Sequence, residues 1–110
     1  MCIRVEELTG LEHLKIGQAR YEVEYKELPT LYGQIHFDSR RIELADDLAD
    51  EETVYGMLHE VLHGIWEHRG IPARPREERV VTELAWGLTA VFRDNPGLLA
   101  HLENLLTDSR

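Results

Sequence analysis

The sequence predicts one α+β domain, in which a small antiparallel sheet of about three strands packs on a central helix with one or two further helices behind it. Three observations lead there. Apolar residues alternate with period two between Ala19 and Leu44, they recur at helical spacing from Val54 to Leu106, and an acidic stretch from Asp46 to Glu52 separates the two regimes. With 110 residues the chain suits a single domain over 1–110, without repeats or a linker.

The segment Ile3 to Leu14 has no dominant period and reads as helix. From Ala19 to Tyr25, the residues Ala19, Tyr21, Val23 and Tyr25 alternate with Arg20, Glu22 and Glu24, the pattern of a strand with one face in water, and Pro29 closes it. Leu31, Gly33, Ile35 and Phe37 then alternate with Tyr32, Gln34, His36 and Asp38. A polar Asp38-Ser39-Arg40 turn leads on to Ile42 and Leu44, which together make a β-hairpin. Asp50 is the expected N-cap of the first long helix, with Glu51 and Glu52 where carboxylates meet the positive end of the peptide dipoles. That helix runs to about Arg69; Gly70 occupies the C-cap region, and Pro72 and Pro75 prevent continuation. A second helix starts near Arg76 and carries Val80, Val81, Leu84, Ala85, Leu88, Val91 and Phe92 as far as Asp94-Asn95-Pro96. Pro96 opens a short third helix with Leu98, Leu99, Leu102, Leu105 and Leu106, expected to close the core.

Composition narrows the function classes. Hydrophobic residues at 43% and charged residues at 30% are ordinary for a globular domain. No apolar run approaches the roughly 18 residues of a bilayer span, and Arg4, Glu6 and Glu7 interrupt any export signal, so a cytoplasmic protein without a membrane partner is expected. Twelve basic against 21 acidic residues give a net charge of −9, and the densest basic patch, Arg74 to Arg79, is broken by Glu77 and Glu78. Nucleic acid, which needs clustered Lys and Arg, is therefore not an expected partner. Cys2 is the sole thiol, which rules out an intrachain disulfide and a cysteine-rich metal knuckle and fits a reducing compartment.

The first long helix contains His59-Glu60-Val61-Leu62-His63, a His-Glu-x-x-His motif. Residues four apart on a helix lie one above the other, so both imidazoles can reach one ion, and Glu60 is placed to take a proton from a water in the ion's open position. From composition alone, about 4% of shuffled chains would carry this pentapeptide. On the helical wheel Val54, Met57, Leu58, Val61, Leu62 and Ile65 form the expected core face, with His59 and His63 about 150° from its centre. Tyr55 and Trp66 flank the imidazoles, which argues for a cleft and against two surface histidines.

Zinc needs a third protein ligand, and two His with one carboxylate is a known catalytic set. The second helix offers Glu77 near the centre of its apolar stripe, Glu78 at the edge and Glu83 outside it; the residues alone leave Glu77 and Glu78 both open. His68 falls one residue short of the third-histidine position of a metzincin and is expected to cap the helix or sit as a buried polar residue. His13, His36 and His101 read as surface or packed histidines, although His36 could reach the cleft. Tyr32 and Tyr55 are packing residues that could also offer a phenol to a tetrahedral intermediate.

The His59-to-His63 helix followed by Glu78-Arg79-Val80-Val81-Thr82-Glu83-Leu84-Ala85 resembles the Glu-zincin metallopeptidases, in particular the compact ImmA/IrrE type, over about residues 31 to 96. That family carries Glu-x-x-Ala-x-x-Phe-Ala after its motif helix; Val81 stands here for the small residue and Leu84 for the aromatic one. Aligned on Leu84-Ala85, the resemblance implies Glu78 as third ligand beside His59 and His63, Zn2+ as the cofactor, Glu60 as catalytic base and a zincin-like fold. It further implies peptide-bond hydrolysis of a protein substrate such as a repressor, laid along an edge strand at Leu31 to Asp38. Asp94-Asn95-Pro96 after a helix is similar to small phage-encoded proteins of this type, which implies a mobile-element origin. The rival expectation is a zinc-stabilised binding module that holds a protein without cutting it, since a chain this small gains from a metal staple.

Overall fold

The structure, a computed structural model, describes residues 11–72 and 74–108. Four strands, β1 (His13–Ile16), β2 (Ala19–Lys26), β3 (Gly33–His36) and β4 (Arg41–Ala45), precede three helices, α1 (Asp50–His68), α2 (Glu77–Asp94) and α3 (Leu98–Asp108). The fold is α+β, as expected, but the sheet is mixed and has four strands in the order β1-β2-β4-β3. β1 and β2 form a tight hairpin at Gly17, whose φ of 61° suits the first residue of a two-residue turn. The expected hairpin between β3 and β4 is present, pairing Ile35 with Ile42. The expectation of a wholly antiparallel sheet is corrected by β4, which inserts beside β2 in parallel register, Val23 with Ile42 and Tyr25 with Leu44. Of the expected helix over Ile3 to Leu14, the part before residue 11 lies outside the described residues, and from His13 the chain is strand.

Alternation decides which sheet face is covered. Ile16, Ala19, Tyr21, Ile42 and Leu44 form the buried core, with Val23, Tyr25, Ile35 and Met57 packed against it. The opposite face is polar, and Glu43 at its centre is nevertheless 3% exposed. Its carboxylate accepts from the Gln34 amide at 2.6 Å, His36 Nε2 at 3.1 Å and Lys26 Nζ at 3.5 Å, with Arg41 Nε 3.2 Å away. Led by the Gln34 bond, these donors outweigh burial and lower the Glu43 pKa from 4.5 to about 2. His36 thus belongs to the polar sheet face and not to the cleft.

α1 meets the sheet along a face that the apolar pattern did not mark. Its buried residues are Tyr55, Gly56, Glu60 and Gly64, whereas Val54 and Ile65 are 42% and 38% exposed. Gly56, Glu60 and Gly64 lie one turn apart, and the two glycines let the helix approach closely: a Cβ on Gly64 would stand 2.6 Å from Ile16 Cδ1. The N-cap is Ala49 and not Asp50, with Glu52 Oε1 accepting from Ala49 N at 3.1 Å. At the other end Gly70, with φ of 70°, donates to Glu67 O and Ile71 donates to Trp66 O, the paired bonds of a Schellman stop. His68 is a partly buried polar residue there, its Nε2 2.6 Å from the Tyr21 hydroxyl.

α2 packs on α1 through Val81, Ala85 and Thr89. α3 does not close the core as expected; Leu99, Leu102 and Leu105 stay exposed. No helix among the described residues is long and apolar enough to cross a membrane.

Two stability outcomes follow. Gly64→Val forces Ile16 and Ile35 aside and should cost about 1–3 kcal/mol in denaturant unfolding, whereas Gly56→Ala, whose Cβ would find ordinary contacts of 3.5–3.6 Å, should be neutral or stabilising by up to ~1 kcal/mol. Because the folded chain holds the Glu43 proton more weakly than the unfolded chain does, the stability from this group is complete above pH 4.5 and is lost as pH falls toward about 2. Acid unfolding of Glu43→Gln should therefore be less steep than that of the parent over that window; parallel curves would contradict the linkage.

Candidate metal centre

Antiparallel packing of α1 on α2 sets the site out in rungs. His63 faces Glu78, His59 faces Thr82, and Tyr55 stacks on Trp86. On each helix these residues are four apart, so one register aligns all three pairs. Glu51 and Arg93 extend the seam toward the far end, with Nη1 2.9 Å from Oε2.

Each imidazole is held by a carboxylate on one nitrogen and faces Glu78 with the other. Glu60 Oε2 lies 3.1 Å from His59 Nδ1, and Glu77 Oε2 lies 2.8 Å from His63 Nδ1. Ionised carboxylates only accept, so a neutral ring that donates through Nδ1 to Glu60 or Glu77 presents a lone pair at Nε2. Both Nε2 atoms then point at one carboxylate: His59 Nε2 is 2.9 Å from Glu78 Oε2 and His63 Nε2 is 2.9 Å from Glu78 Oε1. Three acceptors facing one another repel unless a cation lies among them. Thr82 donates from Oγ1 to Glu78 Oε2 at 3.1 Å, which steadies the carboxylate further.

A proton can be that cation, and the neighbouring charges pull toward it. Burial opposes charging His59, but the bonds to Glu60 and then Glu78 outweigh it and raise its pKa; burial opposes charging Glu78, but His59 and His63 outweigh it and lower that one. A metal ion fits the same set. The His59, His63 and Glu78 donor atoms lie within 4.8 Å of one another, and a tetrahedral zinc with bonds near 2.1 Å needs donors about 3.4 Å apart. Small side-chain adjustments accommodate it, and two imidazoles with one carboxylate are donors that zinc accepts.

Burial divides the roles. Glu60 is 4% exposed, wedged between α1 and the start of β3, where a Cβ on Gly33 would stand 3.4 Å from its Cγ. The Glu78 side chain is 68% exposed. A pocket of about 330 Å³ opens on this side, lined by Tyr32, Gly33, Tyr55, His59, Glu60, Glu78 and Trp86 among others.

The structure brings His59, Glu60, His63 and Glu78 together. Both Glu77 and Glu78 face the site, Glu78 toward both Nε2 atoms and Glu77 behind His63. Thr82 and Trp86 do not stand out in the sequence, yet Thr82 is four residues from Glu78 and Trp86 four from Thr82, which places both on its face of α2. His13, His68 and His101 stand elsewhere. Compared with known proteins, the chain matches no family model, no curated protein and no solved structure.

The two glutamates should separate in a zinc competition assay. Glu78→Gln removes the charged donor and should weaken zinc more than ~100-fold, whereas Glu77→Gln still accepts from His63 Nδ1 and should cost less than ~10-fold. The reverse order would assign the ligand role to Glu77.

Proposed function

We propose that the chain is a zinc-dependent metallopeptidase that hydrolyses peptide bonds of a protein substrate. The observation that carries this reading is the convergence of the His59, His63 and Glu78 donors beside a buried, one-sidedly bonded Glu60 at a pocket. His59 and His63 through Nε2 and Glu78 through its carboxylate would hold the ion. When bound, zinc supplies Lewis-acid polarisation of the scissile carbonyl and lowers the pKa of a water at its open position.

The remaining work falls to the protein's own groups. To accept the proton of the attacking water and return it to the leaving amine nitrogen, the Glu60 carboxylate, which lies 3.1 Å from His59 Nδ1 on the side of the ring away from Glu78, would turn toward the pocket that it lines. Glu77 keeps the His63 tautomer that exposes Nε2. The Tyr55 phenol is held protonated by burial, with the Glu78 and Glu60 charges adding to the upward shift, so it remains an O–H donor beside the site. β3, paired only with β4 among the described residues, leaves an open edge next to the pocket, which suits a substrate added as a strand. The ImmA/IrrE resemblance makes a repressor the first protein to test.

One observation favours the rival, a zinc-stabilised binding module: the donors come from both α1 and α2, so an ion would clamp the two helices. A clamp has no use for Glu60. Glu60→Gln should keep one zinc per chain by plasma mass spectrometry and the parent's melting temperature, while cleavage of a fluorogenic peptide library falls at least ~100-fold. Unchanged turnover in that variant would refute the peptidase mechanism.

A further inference from the structure

Three aromatic rings beside His59 and Glu60 have no part in holding an ion. Tyr55 and Trp86 are stacked at 3.9 Å and 11°, and Tyr32 sets its edge against both, at 5.4 Å and 6.5 Å. Packing explains Tyr55, which is buried. It does not explain why Tyr32 and Trp86, though in contact, remain 39% and 38% exposed. Both line the pocket that also holds His59 and Glu60, and the Tyr55 ring lies 5.5 Å from the His59 ring. Apolar ring surface is thus kept open within one side chain's length of the donor atoms.

Size, polarity and charge restrict the occupant. At about 330 Å³ the space is at the small end of ligand pockets, which run from ~300 to ~1,000 Å³, and suits one side chain better than a whole cofactor. Among the described residues no Lys or Arg lines it, and its charged members are Glu60 and Glu78. An acidic side chain would meet like charge, while an aromatic one would find edges and faces of three rings. Gly33 contributes backbone alone, so the strand edge and the pocket adjoin without an intervening side chain.

We propose that Tyr32, Tyr55 and Trp86 form the specificity pocket of the site, and that it takes a large uncharged side chain, an aromatic one best, from a peptide residue flanking the bond to be broken. Its role in cleavage rests on the peptidase reading; its binding property rests on the pocket alone. The two are tested by separate arms.

The first arm follows the Trp86 indole by NMR in the full chain without metal, as N-acetylphenylalaninamide, N-acetylglycinamide and N-acetylaspartamide are added. Saturable shifts at Trp86 with the phenylalanine compound alone, with Trp66 unmoved, are expected. No shift at Trp86, or equal shifts with all three, overturns the pocket. The second arm titrates the zinc-loaded chain calorimetrically with the hydroxamates of phenylalanine and glycine. The phenylalanine compound should bind at least ~10-fold tighter, and Trp86→Ala should abolish that advantage while leaving glycine hydroxamate binding unchanged. Equal binding to the parent, or an advantage that survives Trp86→Ala, overturns the pocket and leaves the metal reading standing. A Trp86 shift in the first arm with neither hydroxamate binding in the second upholds the pocket and overturns the peptidase reading.

Discussion

The Glu78 carboxylate, gripped from two sides by imidazole Nε2 atoms at 2.9 Å, is the contact on which the arrangement turns. Left to neutral rings it would be a meeting of lone pairs. The cluster therefore demands positive charge at its centre, either as protons on the rings or as a metal ion. The surroundings hold the rings and the carboxylate in place for whichever cation fills it. Glu60 and Glu77 hold the Nδ1 hydrogens on the far sides, Thr82 steadies one oxygen of Glu78, and the helix register holds the three donors within 4.8 Å. An open carboxylate bridge on a surface would gain little from this support, since exposed ion pairs contribute about 0–1 kcal/mol each.

That register depends in turn on how α1 lies on the sheet. Gly64 brings the helix down until Ile16 and Ile35 fill the space where its side chain would be, while Gly56 has ordinary contact distances to Tyr32 and Leu44. Glu60 sits between the two glycines on the same face. The burial of the Glu60 carboxyl group thus accompanies the close approach at Gly64. The adjoining positions, 59 and 63, are rotated by about 100° from 60 and 64, which points the imidazoles away from the sheet and toward α2. One helix phase puts Glu60 in the interior and His59 and His63 on the seam.

Local signals in the sequence carried much of this. The Gly70 stop, the turn between β3 and β4 and the His-Glu-x-x-His spacing are short-range features whose physics is complete within a few residues. What could not be read there depended on partners far along the chain. The parallel insertion of β4 beside β2 is a choice among strands of equal alternation. Of the face that the wheel marks on α1, Met57 packs against the core while Val54 and Ile65 stay exposed, because apolar side chains mark burial only where there is room for side chains, and here the closest contact is made by glycine. His36 was assigned two possible fates, and its alternation with Ile35 determined the answer once Ile35 was seen to face Gly64. Wheel position does not rank Glu77 and Glu78, since both reach the seam: Glu77 meets His63 Nδ1, and Glu78 meets His63 Nε2 together with His59 and Thr82.

A structural clamp and a catalytic site would share the same three donors, so the distinction lies in what surrounds them. A clamp is best closed, with its fourth position taken by protein and its ligands shielded. Here one ligand side chain is 68% exposed and the donors border a pocket whose other walls are a bare strand edge and open aromatic rings. A clamp has no use for a carboxylate at position 60, where the neighbours are Gly33 and the sheet and an apolar residue would pack as well. Clamping and catalysis are compatible in a chain of this size, because an ion that joins α1 to α2 also holds the pocket's two walls, Tyr55 on one helix and Trp86 on the other, at a fixed distance. The economy of the fold is that the contact stabilising the helix pair is the contact that would orient the substrate.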